Sequence, residues 1–150
     1  MKSEPGTYAL IFRSRSTAKT QVGRWGKLEL EPGYYVYVGS AFGPGGVRAR
    51  VSRHCRRTKP KRWHIDYLRM YLRPIEAWYS HEPNHFEHEW AGLLSATRGL
   101  SSIKAFGCSD CHCYSHFFSS TTAPNFALFS NTVDSKIESW SYRRASSQHQ

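Results

Sequence analysis

Residues 34–54, YYVYVGSAFGPGGVRARVSRH, place an aromatic β-forming run, a glycine-rich loop and an arginine-rich stretch next to one another. Arg50 and His54 are spaced one helical turn apart, so they share one face of a predicted helix. An arginine offers two parallel donors that match the oxygens of a phosphate. Gly39 lets the backbone pass close to such a group, and Ser40 can add a hydroxyl donor. This pattern predicts a site that handles phosphates.

The charge of the chain favours a polyanionic partner. The 150 residues include 21 Lys and Arg against 11 Asp and Glu, for a formal net charge of +10. Basic residues crowd the stretch 48–73, where Asp66 is the only acid. Trp63, Tyr67 and Tyr71 are interleaved with them; we expect these aromatic side chains to be core and the arginines to contact phosphate. The residues expected to bind nucleic acid are Gly39, Ser40, Arg48, Arg53, Arg57, Lys59, Lys61 and Arg62.

A small α/β fold must position these side chains. Runs of β-forming residues bounded by turn residues predict strands at 6–14, 21–30 (or a hairpin arm there), 34–38, 75–80, 103–107 and 114–118. Apolar periodicity predicts helices at 47–55, 63–72 and 85–97. In the second helix the apolar stripe is Ile65, Leu68 and Leu72. The order of elements predicts an α/β sandwich, with a small central mixed or antiparallel β-sheet flanked by helices.

The composition predicts one domain and a tail. We expect a compact domain over 1–118, followed by a Ser/Thr-rich, partly disordered tail over 119–150. No apolar stretch approaches the ~20 residues that a membrane span needs. The first residues, MKSEPGTYALIF, are unlike a secretory signal. These features predict an intracellular protein, cytoplasmic or nucleoid-associated, with no membrane partner.

Three of the four cysteines fall in one segment, Cys108-x2-Cys111-x-Cys113, which His116 follows. Four such soft ligands are enough in number for tetrahedral zinc. The spacing argues against it, because Cys111 and Cys113 in a strand would point to the same face and a zinc cage usually needs two separated pairs. The favoured alternative is buried thiols, with Asp110 and His116 making hydrogen bonds or lining the active cleft.

Two triplets, GTY at 6–8 and YVG at 37–39, lie on consecutive early strands and resemble the paired signature of the GIY-YIG nuclease superfamily. A glycine loop and a helix with Arg50 and His54 follow the second triplet, and a glutamate-bearing helix comes downstream, as in that superfamily. The stretches VGSAFGPGG, RHC followed by KPKRWHIDYL, and FGCSDCHCYSHFF look like the stand-alone Uri-type endonuclease subfamily. The resemblance covers about residues 6–118.

The resemblance implies an endonuclease that hydrolyses phosphodiester bonds of nucleic acid, with DNA favoured over structured RNA. In the superfamily, the tyrosine of the first triplet lies near the scissile phosphate and helps to generate the nucleophile; here it is Tyr8. The second tyrosine, Tyr37, orients water and phosphate. Arg50 matches the helix arginine that stabilises charge on the phosphate, and His54 matches the histidine one turn later. These four residues are the predicted catalytic set.

The resemblance also implies one divalent metal ion, Mg²⁺ or Mn²⁺, held by a helix glutamate. A lone carboxylate suffices for Mg²⁺, because this ion keeps most of its waters and also uses substrate oxygens. We prefer Glu89 as the ligand, because Ala91, Leu93 and Leu94 then mark the packed side nearby; Glu87 is the alternative.

Two departures from the phage homing enzymes of the superfamily are visible. The loop from Gly39 to Arg50 is three residues longer, and the GPGG turn can absorb the difference. Those enzymes also have an asparagine beyond the metal glutamate, for which Asp110, Ser115 or His116 can substitute here. Two other function classes stay open: a nucleic-acid-binding module of the same fold without strong cleavage, and a zinc-supported interaction domain centred on 108–116.

Overall fold

The centre of the molecule is a β-sheet, seen in a computed structural model that describes residues 1–104, 106, 115–133 and 135–142. The strands in the described residues are β1 (Gly6–Ser14), β2 (Ala18–Val22), β3 (Gly26–Leu30), β4 (Gly33–Ala41), β5 (Arg73–Ser80), β6 (Ser101–Ser102), β7 (Phe117–Ser120) and β8 (Glu138–Ser141). The main sheet has the order β6-β7-β4-β1-β5-β8, with every pairing antiparallel. β2 and β3 pair separately as a hairpin. The predicted α/β fold is confirmed, in its antiparallel form.

The helices in the described residues are α1 (Gly46–Cys55), α2 (Glu87–Ser95), α3 (Phe126–Thr132) and a 3₁₀ helix, His64–Tyr67. The prediction of a helix at 47–55 is confirmed by α1. The prediction at 85–97 is confirmed by α2, which is shorter at both ends. Within the described part of the chain, none of these helices has the length and apolarity to cross a membrane.

Helices cover both faces of the main sheet. Side chains alternate along a strand, so β1 contributes to two apolar cores. Tyr8, Leu10 and Phe12 face α1 and the 3₁₀ helix. Ala9 and Ile11 face α2 and α3. The sheet is therefore the middle layer, and a polar group at the end of a strand can meet partners from either side.

The predicted α-helix at 63–72 is wrong. The chain forms the short 3₁₀ helix there and then continues through turns to β5. The carboxylate of Asp66 accepts the backbone N–H groups of Arg62 and Trp63, which ties the start of the segment into a tight turn. The predicted stripe of Ile65, Leu68 and Leu72 is buried nevertheless, because successive turns bring these positions to the same side.

The late strands begin at other residues than predicted. β6 covers Ser101–Ser102, before the predicted strand at 103–107, and β7 covers Phe117–Ser120, where 114–118 was predicted. Residues 105 and 107–114, which include the cysteine cluster, lie outside the described residues.

The structure differs from the prediction of a separate tail after residue 118. β8 pairs with β5 at the edge of the main sheet, and α3 packs on the face that α2 covers. Phe129 of α3 stacks on Trp78 and meets Trp90 edge-on, each at 5.2 Å between ring centroids. Three large aromatic groups spaced along the chain thus build this core together, although the local sequence is Ser/Thr-rich.

Replacing Phe129 with alanine should therefore destabilise the whole domain. We expect a loss of about 3 kcal/mol in the free energy of unfolding, because the substitution opens a cavity in a packed aromatic core. The neighbouring Leu128 is 65% exposed, so Leu128→Ala should change the free energy by less than about 0.5 kcal/mol. Urea unfolding of both variants measures this difference, and equal small effects would show that α3 is not part of the cooperative unit.

Candidate active site

Tyr8 lies directly opposite Gly39 in the pairing of β1 with β4. A Cβ atom on Gly39 would lie 2.6 Å from Cζ of Tyr8 and closer still to the hydroxyl oxygen. Glycine is therefore required for the tyrosine ring to lie across β4. The sequence predicted that Gly39 leaves room for a phosphate; in the structure, the ring of Tyr8 occupies that room.

Tyr8 meets His54 of α1. The Tyr8 hydroxyl lies 2.7 Å from Nε2 of His54, and both residues are buried. The ring of Tyr37 packs edge-on against the ring of His54, with 5.6 Å between centroids. These contacts bring together Tyr8, Tyr37 and His54 from two strands and a helix. The fourth predicted catalytic residue, Arg50, lies close enough for its side chain to act on Tyr8.

Burial sets the protonation states of this pair. It raises the pKa of Tyr8 above its ordinary range, although the nearby charge of Arg50 opposes the rise. Burial also lowers the pKa of His54 to about 3; Asp66 opposes this change, and the charges of Lys59 and Arg50 reinforce it. At neutral pH, Tyr8 is therefore a phenol and His54 is an uncharged imidazole.

The surroundings of His54 select one tautomer. Its Nδ1 atom is 4.0 Å from Oδ1 of Asp66, too long for a hydrogen bond, and has no hydrogen-bond partner among the described residues. A proton on Nδ1 is attracted by that carboxylate, whereas a lone pair there would be repelled. We therefore assign the proton to Nδ1, so that Nε2 accepts the hydrogen bond that Tyr8 donates.

Ser40 connects this cluster to the opposite face of the sheet. Nη1 of Arg50 donates to the backbone carbonyl of Ser40 at 3.0 Å. The hydroxyl of Ser40 donates to Oε1 of Glu87 at 2.6 Å. Because side chains alternate along β4, the hydroxyl points toward α2 while Tyr37 faces α1. The hydroxyl that was predicted to meet phosphate thus binds a carboxylate.

Glu87 is the acidic group of the cluster. Its Oε2 atom lies 2.7 Å from Nδ1 of His116. Burial raises the pKa of Glu87, but the hydrogen bonds from His116 and Ser40, together with the electrostatic effects of His116 and His88, hold the pKa below its ordinary value. The carboxylate is therefore ionised at neutral pH.

The preferred metal ligand, Glu89, lies elsewhere: it is exposed, whereas the alternative, Glu87, lies in the cluster. Two residues apart on an α-helix, the two side chains point in nearly opposite directions, so only one of them can face the sheet. Trp90, Ala91 and Leu94 are buried. They follow Glu87 at three, four and seven positions and therefore share its face.

The donor set around Glu87 suits a hard cation with few protein ligands. Among the described residues, no group of three or more His, Cys, Asp or Glu is arranged to hold a metal ion. Each carboxylate oxygen of Glu87 keeps a lone pair beyond its present contact. Mg²⁺ retains several waters and takes substrate oxygens, so one ionised carboxylate fits it, whereas zinc would need further nitrogen or sulfur ligands.

Of the three residues predicted to replace the asparagine of the superfamily, His116 reaches Glu87. The hydroxyl of Ser115 donates to the carbonyl of Phe117 instead. The third candidate and the cysteines of the zinc hypothesis lie outside the described residues: Asp110, Cys108, Cys111 and Cys113.

The basic side chains predicted to bind nucleic acid divide into two groups. Arg53 pairs with buried Asp66 at 3.0 Å and donates to the carbonyl of Pro60. Lys59 donates to the carbonyls of His54 and Arg56 at the end of α1, and burial lowers its pKa to about 8. Arg53 and Lys59 therefore stabilise the fold through contacts within the protein. The side chains that remain exposed are Arg48, Arg57, Lys61 and Arg62.

Two residues of the site escaped the sequence-based prediction. Asp66 faces His54, pairs with Arg53 and holds the 3₁₀ turn. Trp63, predicted to be core, is half-buried and stacks against the guanidinium of Arg50, 4.4 Å from the ring centroid. The available signal was Asp66 itself, a lone acid in a basic stretch, since an isolated carboxylate among arginines is a natural partner for one of them.

The close approach of Tyr8 to β4 gives a prediction for Gly39. Gly39→Ala should destabilise the domain by at least about 1 kcal/mol, because the new methyl group and the Tyr8 ring compete for one space. A Cβ on Gly43 would meet no atom within 4 Å, so Gly43→Ala is the matched control and should have little effect. Thermal unfolding compares the two; equal stability of both variants would contradict the packing described.

The lowered pKa of His54 gives a dependence of stability on pH. The unfolded chain protonates this group near its ordinary pKa of 6.5, and the folded chain only near 3. The unfolded state thus binds more protons between these values, so stability should fall as the pH is lowered from about 6.5, by up to about 1.4 kcal/mol per pH unit. His54→Gln should reduce this slope between pH 6.5 and 5.5, a range that lies about one unit or more above the ordinary pKa values of Asp and Glu. Exposed His85, changed to Gln, should leave it intact.

One family model matches the chain, over residues 7–138, and its description is "Domain of unknown function DUF123". Comparison with curated proteins and comparison with solved structures gave no match. The matched segment includes the Tyr8–His54 pair and Glu87, and it continues past residue 118 to the start of β8. Because it covers most of the 150 residues, the chain belongs to the family described as Domain of unknown function DUF123.

Proposed function

We propose that this chain is a metal-dependent endonuclease of the GIY-YIG type, which hydrolyses phosphodiester bonds of DNA with Mg²⁺ or Mn²⁺. The observation that carries the proposal is the buried hydrogen bond between Tyr8 and neutral His54, beside the cation Arg50 and the ionised Glu87. A proton acceptor, a cation and a metal-binding carboxylate are the groups that phosphodiester hydrolysis needs.

Arg50 is the phosphate-binding group of the proposed site. It is half-buried, and its Nη1 atom donates to the carbonyl of Ser40. A guanidinium has five N–H donors, so most remain for phosphate oxygens. In water-excluded surroundings such a preplaced cation stabilises the charge that develops on the phosphate during hydrolysis.

Tyr8 and His54 form a short path for a proton. As an attacking water loses its proton to the Tyr8 oxygen, the hydroxyl proton of Tyr8 passes to Nε2 of His54. The carboxylate of Asp66, 4.0 Å from Nδ1, then faces an imidazolium and stabilises it. Tyr37 packs against the imidazole and keeps its ring in place.

Glu87 would hold the divalent ion, with His116 and Ser40 orienting its carboxylate. When bound, the ion would offset negative charge on the phosphate and on the departing oxygen. Hydrogen bonds of this kind to a metal-binding carboxylate fix it in one orientation. Burial is the main cause of the raised pKa of Tyr8, and the negative charge of Glu87 adds to it. A cation bound to this carboxylate would offset that charge and make Tyr8 easier to deprotonate.

One observation favours a second candidate, a module that binds nucleic acid without cutting it. Tyr8 is fully buried, and His54 is only 2% exposed. A phosphate can reach the buried Tyr8 hydroxyl only after neighbouring side chains move, and half-buried Arg50, which interacts with Tyr8, is one of these neighbours. If that movement does not occur, the exposed arginines can still bind the phosphate backbone of nucleic acid, but Tyr8 and His54 take no part in cleavage.

A cleavage assay with paired variants tests the endonuclease proposal. Labelled single-stranded, duplex and branched DNA and structured RNA are incubated with Mg²⁺, with Mn²⁺ or with chelator. Arg50→Ala should slow cleavage by about 100-fold or more, because it removes a donor to the developing charge. Glu87→Gln should reduce cleavage to about the level seen with chelator, because the variant lacks the carboxylate that would hold the ion.

The controls carry the same chemical changes at exposed positions outside the proposed site. Arg98→Ala matches Arg50→Ala, and Glu89→Gln matches Glu87→Gln; both controls should cut within a few-fold of wild type. Cleavage that survives Arg50→Ala would overturn the proposal. Salt-sensitive binding with no cleavage under any condition would establish the binding module instead.

A further inference from the structure

A cleft of about 220 Å³ lies beside the proposed active site, between the glycine-rich loop that precedes α1 and the ring of Trp63. Arg50, Arg53 and Arg62 contribute to its wall. Arg50 belongs to both places, because the same guanidinium donates to Ser40 in the active site. The cleft is therefore continuous with the site through one side chain.

Trp63 gathers the three guanidinium groups. Their Cζ atoms lie 4.4, 4.5 and 5.5 Å from the ring centroid for Arg50, Arg53 and Arg62. A cation–π contact offsets part of the repulsion among them. Asp66 is buried and already paired with Arg53, so it offsets one charge only. The cleft keeps an excess of positive charge, and an anion would relieve it.

Side chains, and not the start of α1, supply the free donors of this cleft. The first amides of α1 are taken: those of Val47 and Arg48 donate to carbonyls of Glu4 and Lys2. Both terminal nitrogens of Arg53 have protein acceptors. The guanidinium of Arg62 makes no hydrogen bond to the described residues, and its side chain is exposed. Arg62 and the spare donors of Arg50 are thus available to a ligand.

We propose that this cleft binds the backbone phosphate next to the one at which the chain would cut, with Arg62 and Arg50 as its donors. The inference rests on the proposed endonuclease function and names a second contact of that substrate. Because the Trp63 ring already stacks on guanidinium groups, the cleft contacts a phosphate and not a base. Binding there is therefore independent of base identity.

The test uses small phosphate ligands without metal and without cleavage. Binding of thymidine 3′,5′-bisphosphate and of thymidine 5′-monophosphate is measured by calorimetry at low salt. In wild type, the bisphosphate should bind at least about tenfold tighter, since one charge-assisted contact is worth about 1.5 kcal/mol or more. In Arg62→Gln this preference should fall to about twofold. In Trp63→Leu it should also fall, and Trp63→Phe should retain it.

Arg98→Gln is the matched control, because it makes the same change at an exposed arginine that follows α2 and does not line the cleft. It should keep the wild-type preference. Equal losses in Arg98→Gln and Arg62→Gln, a preference that Arg62→Gln retains in full, or no preference in wild type would overturn the subsite. A different result would show that only the endonuclease proposal fails: no nucleic acid is cut, but the preference for the bisphosphate still depends on Arg62.

Discussion

The arrangement of the whole site depends on the antiparallel register of β1 on β4. This register sets Tyr8 opposite Gly39, the residue without a side chain, and so lets the ring reach His54. A slip of one residue would turn Tyr8 toward α2 and leave His54 without its partner. The paired strands run over nine residues each, Gly6–Ser14 with Gly33–Ala41, and both are largely buried. Core packing thereby fixes the position of a polar contact.

Charged groups surround this uncharged pair from both faces of the sheet. Asp66 approaches from the side of α1, and Glu87 from the side of α2. Each carboxylate is kept ionised against burial by its own partners: Arg53 and two backbone amides for Asp66, and His116 and Ser40 for Glu87. The resulting field acts on Tyr8 with opposite signs, because both carboxylates raise its pKa and Arg50 lowers it. A change in any of these charges, through a ligand or a metal, would be felt at the phenol.

The basic stretch 48–73 is held in place by the contacts of Asp66 and Trp63. Asp66 ties the turn that presents Trp63, and Trp63 gathers guanidinium groups from α1 and from the preceding loop. Some basic side chains, such as Arg53 and Lys59, make hydrogen bonds within the protein, whereas others stay exposed. A count of basic residues therefore overstates the surface that is free to meet a polyanion.

Patterns within one element were sufficient for much of the fold. The strand at 6–14, the helix that carries Arg50 and His54 and the glutamate-bearing helix were predicted from local periodicity, because the alternation of a strand and the turn of a helix are local properties. Other features were misjudged where long-range contacts decide. The segment 63–72 begins with the short 3₁₀ helix His64–Tyr67, which a buried carboxylate holds. β8 joins the main sheet and α3 packs against it, although the composition after residue 118 is that of a tail.

The choice between Glu87 and Glu89 shows what the sequence determines and what only the tertiary structure determines. The sequence places both on one helix and shows that only one of them can face the sheet, but it has apolar residues on both sides: Trp90, Ala91 and Leu94 follow Glu87 at helical spacing, and Leu93 follows Glu89 by one turn. The decision between the two sides comes from a contact between residues far apart in the chain, Ser40 with Glu87, which are separated by 47 positions. Periodicity determines a face relative to the axis of its own element. Only the packing of elements against one another determines which faces meet.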